Sequence, residues 1–185
     1  MKVEFRKVAE RRYAVRILRD RLPVLEMNPA PGFDERMPHD LCHLIVEQVL
    51  GIENAIFGQT AKGTGTFRIQ PSEASNSKND ARRRRKTIKK GKNSVKENLE
   101  DYAKSERATY VCWQYWLSKS ADAELRQRAA EMQKTADSIR GQMPASERSI
   151  YTEENLEKVS QRMSELSRQW QNLKIGESMI VDWVL

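Results

Sequence analysis

The pattern of apolar and polar positions places strands at the two ends of the chain and helices between them. Val3 and Phe5 alternate with polar neighbours, and the run YAVRIL that follows is rich in β-branched and aromatic residues. Met179, Val181 and Trp183 alternate in the same way near the end of the chain. Because alternating side chains point to opposite faces of a strand, these segments predict a small antiparallel sheet.

Apolar residues recur at intervals of three and four through the second half of the chain, which is typical of amphipathic helices. One stripe comprises Leu125, Ala129, Met132, Ala136, Ile139 and Met143, and the next comprises Leu156, Val159, Met163, Leu166, Trp170 and Leu173. The short connection between them predicts an antiparallel helical hairpin over residues 120–174. The same stripes are also compatible with packing on the sheet, or with pairing between two chains.

These elements predict an α+β protein, in which a small antiparallel sheet from N-terminal strands and the C-terminal strand packs with helices that include the hairpin. Since the first and last segments would share one sheet, we expect a single domain over residues 1–185. The chain has 38% hydrophobic residues and four tryptophans, which is enough for one core at this length.

The sequence lacks features of membrane insertion and secretion. No apolar run approaches the length of a membrane span, and the first residues lack the apolar core of a secretory signal. Cys42 and Cys112 lie in apolar helical patterns, which favours reduced and buried thiols. We therefore expect a cytoplasmic protein without a membrane partner.

The net charge of +7 comes from one short segment. Residues 78–92 include nine basic residues and one acid, so they carry +8 and the remainder of the chain carries −1. We call residues 70–93 the basic segment, and its composition predicts a flexible loop or linker. Neutralisation of phosphates predicts binding to nucleic acid or another polyanion. The candidate contacts are Arg82, Arg83, Arg84, Arg85, Lys86, Lys89, Lys90 and Lys92.

A solvated loop explains the same basic residues without a partner. No aromatic residue lies between Ile69 and Leu99 on which bases could stack, and no recognition-helix motif is present.

Both histidines of the chain lie in the sequence MPHDLCHLIVEQVLG, for which Pro38 and Gly51 predict the start and the end of a helix. His39 and His43 are four residues apart and therefore share one helix face. They are the candidate ligands of a divalent metal, with zinc first, and the third ligand must be a carboxylate or a cysteine.

Asp40 and Glu47 fall on the same polar arc of this helix and are the candidate catalytic groups. Each could act as a base or orient His43. A structural role is the alternative, in which His39 packs at the helix start and His43 is held by one of the two acids. A thiol nucleophile, Cys42 with His39 one turn back, is a further alternative, although a buried inert cysteine fits an apolar helix better.

The stretch from Phe33 to Phe67 resembles small uncharacterised bacterial proteins that share a PHDLxHxxVE core, a Phe-Gly pair and a glycine-rich tail. The matching residues are Pro38, His39, Asp40, Leu41, His43, Val46, Glu47, Phe57 and Gly58. The triplet Ser105-Glu106-Arg107 after a basic run, and the ending with Trp170, Gly176 and Trp183, are also similar. The resemblance implies a bacterial origin and relatedness, but it brings no activity with it.

Three functions fit these observations. The first is a non-enzymatic cytoplasmic binding protein that uses the basic segment as its contact surface. The second is a metal-binding protein or metal-dependent hydrolase built on His39 and His43. The third is a protein that forms homo-oligomers through its heptad-like stripes.

Overall fold

A computed structural model describes residues 1–20, 22–63, 67–69 and 78–184 of the chain. The fold is α+β, as the alternating and helical patterns predict. The strands are β1 (Lys2–Ala9), β2 (Arg12–Leu18), β3 (Leu25–Ala30), β4 (Arg68–Ile69) and β5 (Ser178–Asp182). The helices are α1 (His39–Leu50), α2 (Ile56–Ala61), α3 (Lys78–Glu97), α4 (Leu99–Ser118), α5 (Ala123–Gln142), α6 (Ala145–Arg148) and α7 (Glu153–Asn172).

The sheet is antiparallel and its strands follow the order β4-β3-β2-β1-β5. The last strand pairs with the first, with Val181 opposite Val3 and Met179 opposite Phe5. These four side chains are buried, whereas their neighbours along the strands are more exposed. The predicted return of the C-terminal strand to the N-terminal sheet is therefore confirmed.

Helix α1 lies at the centre of the core and packs against α2, α4 and α7. Its Leu41, Leu44 and Ile45 are fully buried. The helix follows Pro38, whose backbone is extended, and ends at Gly51 in the left-handed region with φ of 67°. The sequence-based limits of this helix are confirmed.

The helical hairpin consists of α4 and α5, and this differs from the pairing expected over residues 120–174. Helix α5 packs chiefly on α4, while α7 packs on α1 and α4. The stripe of α5 buries only the small residues Ala129 and Ala136 completely, so it offers little surface to α7. The larger stripe of α7 is used within the same chain, which removes the main reason to expect self-association through it.

The basic segment also differs from its prediction. Residues 78–93, expected as a loop or linker, belong to the long helix α3, and residues 70–77 lie outside the described residues. Arginine and lysine are good helix formers, and no proline interrupts this stretch. None of the helices in the described ranges has an apolar stretch long enough to cross a membrane.

Candidate metal centre

Two helices bring His39, His43 and Glu106 together. Ligand atoms of the three side chains all lie within 4.8 Å of one another, so this group could hold a metal ion. Glu106 Oε2 is 3.5 Å from His43 Nε2 and 3.9 Å from His39 Nε2. Tetrahedral zinc, with bonds of about 2.0–2.1 Å, places its ligand atoms roughly 3.3 Å apart. Small side-chain rotations are therefore enough for the three groups to share one ion.

The centre is closed on one side and open on the other. His43 is fully buried, while the side chains of His39 and Glu106 are 44% and 60% exposed. The two imidazole rings meet edge to face, with centroids 4.5 Å apart. Burial lowers the pKa of His39. This shift favours the unprotonated imidazole that binds metals.

A chain of hydrogen bonds connects His43 to Glu47. Ser105 Oγ donates to Glu47 Oε1 at 2.8 Å and lies 2.8 Å from His43 Nδ1. When Glu47 is ionised it takes the single hydroxyl proton of Ser105, and the Ser105 oxygen can then accept from Nδ1–H of His43. That tautomer has a lone pair on Nε2 of His43, as metal binding requires.

That Nε2 atom is buried without a hydrogen-bond partner among the described residues. Its distance of 3.5 Å to Glu106 Oε2 is longer than a good hydrogen bond. A buried polar atom without a partner is costly, and a metal ion bound at this position would remove the cost.

Glu47 is anchored by the start of α2. Its carboxylate accepts the backbone N–H groups of Ile56 at 3.0 Å and Phe57 at 2.8 Å. Burial raises the pKa of Glu47 to about 7, against the opposing effect of these hydrogen bonds. A Cβ at Gly58 would lie 2.1 Å from the carbonyl oxygen of Glu53, so only glycine allows this turn of the chain. Glu47 thus supports His43 through Ser105 and does not reach the ligand atoms itself.

Asp40 has a different set of contacts. Tyr13 Oη donates to Asp40 Oδ2 at 2.5 Å and also contacts the carbonyl oxygen of Pro31. Burial raises the pKa of Asp40. In this arrangement Asp40 links α1 to β2, and the carboxylate that joins the two histidines is Glu106.

A cleft with a volume of about 310 Å³ opens beside the centre, and both His39 and Glu106 line it. One wall is the loop at residues 31–38, which α7 holds in place. Trp170 Nε1 donates to the carbonyl of Asp34 at 3.2 Å, and Ser167 Oγ donates to the carbonyl of Arg36 at 2.8 Å. The cleft therefore has a well-anchored wall next to the candidate ligands.

The sequence-predicted residues fall into three groups. His39 and His43 are brought together, and Asp40 and Glu47 lie behind them. The side chains of Arg82, Arg85, Lys86, Lys89 and Lys92 are exposed on α3, and those of Arg83, Arg84 and Lys90 lie outside the described part. Burial raises the pKa of Cys42, which disfavours a thiolate nucleophile.

Glu106 was not among the predicted ligands. A sequence signal for it exists in its neighbours, because Ser105 and Thr109 put hydroxyl groups on the buried face of α4. Thr109 Oγ1 also lies 3.2 Å from His43 Nδ1. Hydroxyls on a buried helix face indicate a polar partner on the facing helix.

Comparisons of the chain with protein-family models, with curated proteins and with solved structures found no match. The functional inference therefore depends on the residues and their geometry.

Proposed function

We propose that the protein binds a divalent metal ion, zinc in the first place, through His39, His43 and Glu106, and that it is a metal-dependent hydrolase. The observation that carries this proposal is the buried Nε2 of His43, which lacks a hydrogen-bond partner in the described structure and faces Glu106. The chain of hydrogen bonds through Ser105 to an ionised Glu47 is compatible with the tautomer that has a lone pair on that nitrogen.

Two histidines and one glutamate are a ligand set of catalytic zinc, and they leave a fourth position open. Since His39 and Glu106 line the cleft while His43 is buried behind them, that open position would face the cleft. Zinc in such a site supplies a hydroxide at neutral pH by lowering the pKa of bound water to about 7.

The position of Asp40 argues against the peptidase arrangement in which an acid beside the first histidine is the general base. Asp40 is buried and engaged by Tyr13. A zinc ion held by His39, His43 and Glu106 would lower the pKa of a bound water by itself, so Asp40 would not be required as a base.

The decisive experiment measures metal content and metal binding of tag-free protein. We expect near-stoichiometric metal by mass spectrometry, a higher melting temperature with added zinc, and loss of both in the variants His39→Ala, His43→Ala and Glu106→Ala. Glu131→Ala, at an exposed position of α5, serves as the control and keeps the metal.

Absence of metal from the parent protein would overturn the proposal if added zinc, manganese and iron also left its melting temperature unchanged. A panel of aryl esters and anilides then tests hydrolysis, and the activity should disappear with chelator and with His43→Ala alike.

Polyanion binding by α3 is a second candidate function, because the described part of this helix presents six exposed cations along about 21 Å of its axis. They are Arg82, Arg85, Lys86, Lys89, Lys92 and Lys96, and we call them the basic face of α3. Such a surface fits the phosphate backbone of a nucleic acid without reading its sequence.

A further inference from the structure

The cleft beside the candidate metal centre is apolar along its walls and carries one arginine. His39 and Glu106 line one part of it, and Arg128 lines another. The apolar walls are formed by Phe33, Met37, Tyr110, Trp113 and Met132. A cleft with these walls and a few polar groups is typical of a small-molecule site.

The spacing of residues on α4 indicates how far the cleft extends along this helix. Glu106 and Trp113 lie on this helix seven residues apart, which corresponds to about 10 Å along its axis. The guanidinium of Arg128 lies 5.7 Å from the centroid of a Trp113 ring. Arg128 therefore lies beside Trp113 and lines the same cleft as the candidate ligands His39 and Glu106.

Arg128 keeps donors available for a ligand. Its Nη1 donates to Asp34 Oδ2 at 3.2 Å, and its guanidinium lies 5.7 Å from the centroid of the Trp113 ring. A guanidinium has five N–H groups, and the remaining ones have no partner among the described residues. They can bind a carboxylate; Asp34 at the same place repels a doubly charged phosphate more strongly than a singly charged carboxylate.

We infer that the cleft binds a monoanionic ester or amide, with an apolar or aromatic body that lies along the cleft walls and ends in a carboxylate held by Arg128. This inference rests on the proposed function. Hydrolysis breaks the acyl C–O or C–N bond, adds the hydroxyl of one water to the acyl carbon and gives the remaining proton to the leaving alcohol or amine. The scissile carbonyl lies at the metal, and the carboxylate lies at the other end of the cleft.

Three hydroxamates test the inference on zinc-loaded protein, since a hydroxamate binds zinc without being hydrolysed. They are acetohydroxamate, 3-phenylpropanohydroxamate and 3-(4-carboxyphenyl)propanohydroxamate. The second adds an aromatic body for the apolar walls of the cleft, and the third also adds a carboxylate for Arg128. We expect titration calorimetry to give a dissociation constant that falls roughly tenfold at each step of the series.

Variants at Arg128 separate the contribution of the carboxylate. Arg128→Gln should abolish only the gain in affinity from the phenyl to the carboxyphenyl probe, so that these two probes bind equally well. Arg128→Lys keeps the charge without the planar fork and should retain part of the preference. The control is Arg126→Gln on the same helix, because Arg126 contacts only the backbone carbonyls of Ser120 and Ala121. A matching melting temperature shows that each variant is folded.

The outcomes separate the two proposals. If the protein takes up no zinc, the metal centre is refuted and this inference fails with it. If zinc-loaded protein binds none of the three probes, binds all three with equal affinity, or keeps the preference for the carboxylate in Arg128→Gln, the metal centre stands and the substrate class is refuted.

Discussion

Gly32 lies in direct contact with His39, the first candidate ligand. The carbonyl oxygen of Gly32 accepts a hydrogen bond from the backbone N–H of His39 at 3.0 Å. A Cβ at position 32 would lie only 2.6 Å from Cβ of His39. The φ of Gly32 is +71°, a conformation that favours glycine. The loop before α1 therefore fixes the position of His39.

Gly32→Ala should weaken zinc binding, because the added methyl group must displace His39 or the loop. We expect a loss of about 10- to 100-fold in zinc affinity, the range for residues that position metal ligands. A zinc competition assay measures it.

Gly176→Ala is the matched control for that variant. Gly176 also has a positive φ, of +92°, but no described atom lies within 4 Å of its Cβ position. Both variants should lose about 1–2 kcal/mol of stability from backbone strain, and only Gly32→Ala should lose zinc affinity. Equal zinc affinities for the two variants would contradict the role assigned to Gly32.

Ser105→Ala should uncouple His43 from Glu47. The variant removes the hydroxyl that accepts from His43 and donates to Glu47, so Nδ1 of His43 and a buried carboxylate oxygen both lose a partner. We expect a stability loss of about 1–3 kcal/mol and a zinc affinity at least about tenfold lower. Ser118→Ala on the exposed end of the same helix should change neither quantity. Unchanged zinc affinity in Ser105→Ala would show that Ser105 does not set the tautomer of His43.

The sequence predicts those parts of the fold that local patterns determine. Alternation at Val3 and Phe5, and again at Met179 and Val181, identifies the first and the last strand of the chain, because alternating side chains need one buried face. Pro38 and Gly51 delimit α1, because each suits a specific position of a helix end.

Contacts between distant segments could not be predicted in the same way. A heptad-like stripe indicates that a helix buries one face, but it does not identify the surface that covers it. The assignment of α5 and α7 to one hairpin differs from the structure for this reason. Glu106 was not found because its role depends on how α4 crosses α1. The composition of the basic segment predicts a loop because charged residues dominate it. Arginine and lysine nevertheless have high intrinsic helix propensity, which favours α3.

Residues of the stretch from Phe33 to Phe67 connect to one another through hydrogen bonds, and Ser105 of α4 joins them from a distant part of the sequence. Glu47 receives the N–H of Phe57, and Gly58 allows the close turn that presents it. Glu47 then connects through Ser105 to His43. The motif residues therefore form one supporting structure behind the candidate metal centre.

Glu47 should make the stability of the zinc-free protein depend on pH. Its pKa in the folded protein is raised to about 7 from an ordinary value of 4.5, chiefly by burial. The folded state then binds more protons than the unfolded state between these values, so stability falls as pH rises through about 7. Urea unfolding should show that the free energy of unfolding falls by about 2–3 kcal/mol between pH 5 and pH 8 because of Glu47.

Comparison with Glu47→Gln isolates that effect from its neighbours. The raised pKa of Asp40 also makes stability fall as pH rises, whereas the lowered pKa of His39 makes stability rise with pH. Because Asp40 and His39 are present in both the parent and the variant, their effects cancel in the comparison. The free-energy difference between parent and variant should therefore change across this pH range. Parallel stability curves would show that Glu47 does not titrate there.

Neutralising the basic face of α3 should weaken binding to DNA. We expect Arg82→Gln/Arg85→Gln/Lys89→Gln to lower the slope of log affinity against log salt by about 2 to 3 for a short duplex, measured by fluorescence anisotropy. The control neutralises three exposed cations on other helices: Arg126, Lys134 and Lys158. Equal losses in both variants would mean that only net charge matters and that α3 is not a specific surface.

Arg107 and Glu147 form a two-pronged ion pair that holds α4 against α6, next to Glu106. Nε and Nη2 of Arg107 donate to the two carboxylate oxygens of Glu147 at 2.9 and 2.6 Å, and the Glu147 side chain is only 5% exposed.

Arg107→Met would leave that buried charge unpaired, so we expect the free energy of unfolding, measured with urea, to fall by about 3–5 kcal/mol. Arg107→Met/Glu147→Met should recover part of this loss, because no charge then remains buried. Arg162→Met breaks only an exposed pair and should cost at most about 1 kcal/mol. A cost for Arg107→Met no larger than that of Arg162→Met would show that the pair does not anchor α4.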